Sequence, residues 1–136
     1  MQIDGKIVNE KSELVELIKS GVNPLNYIQN DLEIDFISSA ITNVTISEDS
    51  YFDDMADILL KSFIYYLSSA DGEVKNLARC KELVEMGING KKEELQNIVS
   101  SNESSKSLYT GISIASDETY KKIFETLDSK LSEILK

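Results

Sequence analysis

Histidine and tryptophan are missing from this 136-residue chain, and cysteine and proline occur once each. Without histidine a nucleophile–histidine relay cannot be built, and a zinc site would lose its commonest ligand. The lone Cys80 excludes an intramolecular disulfide. It falls beside Leu77, Leu83 and Val84 in a helical pattern and reads as a small core hydrophobe. One proline and six glycines leave long uninterrupted segments, which favours helices over many short strands. Long hydrophobic runs are lacking too. The largest apolar cluster, residues 58–67, is broken by Lys61 and is too short to cross a bilayer. The opening MQIDGKIVNEK has no signal-peptide core. The expectation from these absences is a cytoplasmic chain without membrane contact of its own.

Positive charge is scarce. Twenty-four acids against fourteen bases give a net charge of -10 and a pI near 4.4. Nucleic-acid binding rests on basic patches that release counterions from phosphate, so direct DNA contact is disfavoured. An acidic surface instead attracts basic proteins. Lys75, Arg79 and Lys81 lie close together but read as a solvated helix face. None of the glycines fits the phosphate loop GxxxxGK[ST], and no calcium loop of the D-x-[DN]-x-[DN]-G type occurs. The adjacent carboxylates Asp53/Asp54 and Glu93/Glu94 point to different helix faces and form no acid–base pair. The expectation is a chain that is not an enzyme, with no catalytic residue, metal or cofactor.

What is present is a globular composition, 41% hydrophobic and 28% charged, of one-domain length. The stretch SYFDDMADILLKSFIYYLSS, residues 50–69, dominates it. Asp49 or Ser50 can cap a helix there, with Asp53 at capping-box spacing from Ser50. Asp53, Asp54 and Asp57 then sit in the first turns, where the helix dipole favours negative charge. Phe52, Met55, Ala56, Leu59, Phe63 and Leu67 form one stripe, and Leu60, Ile64, Tyr65 and Tyr66 extend apolarity around the helix. Such a helix must be covered on all sides.

The neighbours are legible. Residues 13–20 form a short amphipathic helix stopped by Gly21, and a brief turn follows Asn23-Pro24. Residues 31–43 repeat the pattern with Leu32, Phe36, Ile37, Ala40 and Ile41, before a polar loop. A helix over 74–86 closes at Gly87, and another spans 91–101. SSNESSKS, residues 100–107, reads as a flexible linker. Residues 108–115 lean to helix although Ile112 and Ile114 alternate, and Asp117 caps a final helix through Ile134. The fold expected is all-α: a compact bundle of six or seven helices around a central apolar helix at about 51–69, with no sheet.

Two resemblances bear on function. LVELIKSGVNP and CKELVEMGING both end in Gly-x-Asn, with Gly21 and Gly87 roughly two 33-residue periods apart, as in an ankyrin-like array. At the intermediate position, Asp54, there is neither glycine nor loop.

The second covers more of the chain. NPLNYI is followed by IDFISSAITNVT and then by SYFDDMADILLKSFIYYLSSA. This order resembles the all-α domain of TraG-type coupling proteins of type IV secretion and conjugation, of the Gram-positive kind. Asn23, Pro24, Tyr27 and Ile28 match that family's Asn-Pro-(Phe/Leu)-x-Tyr-Ile segment. Residues 41–45 match its stretch like NLIKNTT, and Phe52, Ala56 and residues 59–67 its aromatic-acidic start and long apolar helix. NLARCKELVEMG and LYTGISIASDETYKKIFETLDSKL look like its later helices.

The resemblance implies that residues 1–136 are one all-α domain excised from a larger ATPase, whose nucleotide-binding motifs are absent here. Residues 1–22 are its less clearly assigned N-terminal segment. It implies a docking module for the relaxase or accessory relaxosome proteins, on the cytoplasmic face of a membrane-anchored, hexameric parent. No family motif marks the partner-binding residues. Glu93, Glu94 and Glu103 stand out only as surface acids near the linker. The alternative is an acidic immunity or inhibitor protein that neutralises a basic toxin or nuclease by charge complementarity.

Overall fold

The computed structural model describes residues 1–135. Among them seven α-helices follow a two-stranded hairpin: α1 Lys11–Lys19, α2 Asp31–Thr42, α3 Ser50–Ser69, α4 Leu77–Ile88, α5 Lys92–Val99, α6 Glu103–Ser113 and α7 Asp117–Ile134. A 3-10 turn, Pro24–Tyr27, links α1 to α2. The all-helical bundle around α3 is as expected.

α3 is the post of the bundle. It packs against α2, α4, α5, α6 and α7, and Ala56, Leu59, Leu60, Phe63, Ile64 and Leu67 are all fully buried. α7 lies along it with Ile123, Phe124, Leu127 and Leu131 buried, and also contacts α1, α2 and α4. Each of the leucine, isoleucine and phenylalanine side chains among these removes apolar surface worth about 1.5–3 kcal/mol from water. Burial on several faces therefore outweighs what helix propensity alone could supply.

The helix starts are written in asparagine. Asn30, Asn76 and Asn102 each accept a hydrogen bond from the backbone N–H three residues on, which satisfies an orphan donor of α2, α4 and α6. Two helix ends use a left-handed glycine. Gly21 (φ 107°) follows α1 and Gly90 (φ 80°) follows α4. In both, the next amide reaches back to a carbonyl one turn inside, Val22 N to Leu17 O and Lys91 N to Met86 O.

Several local expectations are corrected. The N-terminus holds a sheet after all, β1 Gln2–Ile3 paired antiparallel with β2 Lys6–Ile7. Asp4 and Gly5 at its tip both take positive φ, as a two-residue hairpin turn requires. Gly87 does not end α4 but lies inside it, buried against the Phe124 ring. Gly21 and Gly87 therefore do not occupy equivalent places. Val74 is exposed before α4, which starts at Leu77.

The supposed linker 100–107 is largely the first turns of α6. Its Ser105 is fully buried and exchanges hydrogen bonds with Ser62 of α3, at 2.8 Å and 2.6 Å to the two carbonyls. One of its polar residues thus makes a buried helix contact, while most of the others are exposed on or just before α6. Ser116, not Asp117, caps α7, its hydroxyl accepting from Thr119 N. In α2 the expected Ile37, Ala40 and Ile41 are buried together with Ile34, while Phe36 is half-buried and Leu32 is 77% exposed.

Candidate functional site

The loop between α2 and α3, residues 43–49, is held from below by α7. Lys130 points inward with 1% of its surface exposed. Its ammonium donates to Thr45 O at 2.6 Å and lies 2.8 Å from Asp53 Oδ1. The same carboxylate accepts from Ser47 N at 3.0 Å and Ser47 Oγ at 2.8 Å. Burial pushes Asp53 toward higher pKa, but the Lys130 ammonium and the two Ser47 donors outweigh it and hold the carboxyl below its usual range. Asp53 therefore does not close a capping box. The helix cap is Asp49, which accepts from Tyr51 N.

A buried ion pair is a poor stabiliser, because desolvating two charges costs several kcal/mol and an apolar pair often does as well. What this one does provide is position. All of its hydrogen bonds run to the loop or to the first turn of α3. Above it Ile46 is 74% exposed and Tyr51 44% exposed. Tyr51 meets Phe52 edge to face at 5.1 Å, and the Lys122 ammonium lies 4.5 Å over the other aromatic, Phe52. A groove of about 440 Å³ runs between Ile46 and α7, floored by Lys130 and walled by Lys122, Thr126 and Ser129. Glu48, Asp49 and Asp54 stand exposed beside the loop.

Three half-buried bases are tied to carboxylates, and a fourth, Lys92, lies over the Tyr120 ring. Arg79 Nε lies 2.9 Å from Glu73, and Lys81 lies 2.6 Å from Asp128. Lys61 bridges Asp57 at 3.2 Å and Asp35 at 3.6 Å. Glu73 also accepts from Tyr66 Oη at 2.6 Å. Burial opposes ionisation of Glu73, yet the Tyr66 and Arg79 hydrogen bonds prevail and keep it below the usual carboxylate range. The Tyr66 hydroxyl is pushed up to about 12 by burial and by Glu73. Arg79 and Lys81 are thus fastened to acids of their own fold, while Lys75 reaches only a backbone carbonyl. They do not form a shared patch for phosphate.

Glu93 and Glu94 stand exposed in the first turn of α5, and Glu103 in the first turn of α6. No structural feature joins them into a site. Cys80 is fully buried in the core. Among the described residues no cluster of three or more histidine, cysteine, aspartate or glutamate side chains is placed to hold a metal ion. No helix among them is long and apolar enough to cross a membrane.

Lys130, Thr45 and Ser47 were missed in the sequence. One signal was there: Lys130 lies three residues after Leu127 and four before Ile134, on the buried stripe of α7. A lysine at a core position asks for a carboxylate partner, and the half-buried Asp53 supplies it. No protein-family model, curated protein or solved structure matches this chain.

Proposed function

We propose that this chain is a protein-docking domain whose acidic exterior receives a basic protein. The observation that carries the reading is electrostatic. The chain has a net charge of -10, and four of its five more buried bases, Lys61, Arg79, Lys81 and Lys130, are already paired with carboxylates. The field left to solvent is negative, which steers and orients cationic partners.

In its finer form the proposal follows the resemblance to TraG-type coupling proteins. The domain docks the relaxase or an accessory relaxosome protein at the cytoplasmic face of a hexameric parent ATPase and performs no catalysis itself. The order of the Asn23–Ile28 turn, α2 and the long apolar α3 supports it. The test is a pull-down of the cognate relaxase and accessory factors by this domain at low and at high salt. Capture at low salt that disappears at high salt is expected. No capture at low salt would overturn it.

The same exposed charge suits an inhibitor that neutralises a basic nuclease. A short reading frame beside a toxin gene favours that role. A position between two nucleotide-binding motifs of one long frame favours the coupling protein.

A further inference from the structure

Six large apolar side chains are strongly exposed: Ile7, Leu32, Ile46, Tyr51, Val74 and Ile114. Four of them lie elsewhere, on the hairpin, the start of α2, the α3–α4 connection and the end of α6. Ile46 and Tyr51 instead lie five residues apart, Ile46 in the loop that Lys130 and Asp53 pin from below and Tyr51 in the first turn of α3 that follows it. Loops carry binding residues best when a rigid scaffold fixes them. A protein that spends a buried charge pair on holding a seven-residue loop still, with an isoleucine displayed on top, has built a presentation device.

The charge around the device identifies what it displays to. Glu48, Asp49 and Asp54 are exposed alongside Ile46 and Tyr51. Of the two lysines that line the adjacent groove, Lys130 is buried and Lys122 lies over Phe52. Against the one exposed groove lysine, Lys122, stand the exposed carboxylates Glu48, Asp49, Asp54 and Glu125, so the balance of charge around the apolar tip is acidic.

We infer that the Ile46 loop is the docking epitope, and that its occupant is a cationic amphipathic segment of a partner protein. Apolar side chains of that segment cover Ile46 and Tyr51, while its lysines and arginines meet Glu48, Asp49 and Asp54. This rests on the proposed acidic docking role and adds to it the place of contact and an apolar requirement. Charge supplies the encounter; burial of Ile46 supplies the selection between basic proteins.

The test is a titration of the ¹⁵N-labelled chain followed by amide shifts, with two synthetic peptides of equal positive charge. One is an amphipathic lysine–leucine helix, the other oligolysine. The expected result is tight binding of the lysine–leucine peptide with shifts concentrated at residues 45–54. Ile46→Ser should weaken it about tenfold, and Glu48→Lys should weaken it further at low salt. Ile46 is exposed, so its variant keeps the fold, and Glu93→Lys on α5 serves as the distant control with binding near wild type. Equal binding of both peptides with diffuse shifts, unaffected by Ile46→Ser, would overturn the epitope and leave the acidic docking role standing. Failure of both peptides to bind at low salt would overturn the epitope and the acidic docking role together.

Discussion

The ring of Phe124 on α7 lies against the α-carbon of Gly87 on α4, in the space a β-carbon would occupy. That contact lets α4 and α7 approach closely and explains why a glycine is tolerated inside a helix, where it costs about 1 kcal/mol relative to alanine.

At an exposed helical site Gly→Ala would stabilise. Here Gly87→Ala forces the Phe124 ring out of a packed core, and overpacking of that kind costs about 1–3 kcal/mol. The steric term wins, so urea denaturation should show net destabilisation. In a Phe124→Leu background the same change should become neutral or favourable, a non-additivity expected of residues in contact.

Lys130 and Asp53 should respond unequally to removal of the partner. Asp53→Asn leaves an ammonium buried at 1% exposure with the Thr45 carbonyl as its main partner, and should cost about 3–5 kcal/mol. Lys130→Met leaves a carboxylate that keeps both Ser47 donors and some solvent, and should cost about 2 kcal/mol. The double variant should lose less than the sum. Equilibrium unfolding of the three proteins measures all of this.

Acid should unfold the protein through Asp53 and Glu73. Both carboxyls are held below their usual range in the folded state, so between the folded and unfolded pKa values the unfolded chain binds more protons. Their contribution is therefore complete above the unfolded values, about 3.9 for Asp and 4.3 for Glu. It is lost as pH falls through the lower folded values. Stability measured against pH should drop on that acid side, and the drop should be shallower in Asp53→Asn.

Cys80 should be silent in the native protein. Burial pushes its thiol up to about 12, so almost no thiolate exists near neutral pH, and no solvent path reaches the sulfur. A thiol-reactive disulfide reagent should label it only in proportion to unfolding as urea is raised. Rapid labelling without denaturant would contradict the core placement.

The bundle was legible where period and residue type agreed. α3 announced itself because Leu59, Phe63 and Leu67 repeat at helical spacing and their flanks are apolar too. Misreadings came where polar residues serve the interior. Ser105 precedes Tyr109 and Ile112 at helical spacing, yet seven polar neighbours made the stretch look like a linker; only the facing Ser62 of α3, far off in sequence, makes its burial affordable. The same holds for Lys130, whose partner is set by tertiary packing. The hairpin was missed for a different reason: two-residue strands are too short for alternation, and Asp4-Gly5 was the one local cue. The Ile46 loop was seen as a polar connection, because nothing in its own residues says that α7 fastens it.

α7 follows every other helix in the chain, yet its side chains close the faces of α2, α3 and α4. While the protein is being made, Phe63 and Gly87, which meet Phe124 in the finished fold, must wait without that cover until the ribosome has released residues 117–134. A nascent chain stalled before that point would present a sticky hollow to chaperones and proteases, so quality control, rather than loss of any single contact, would decide the fate of shortened versions.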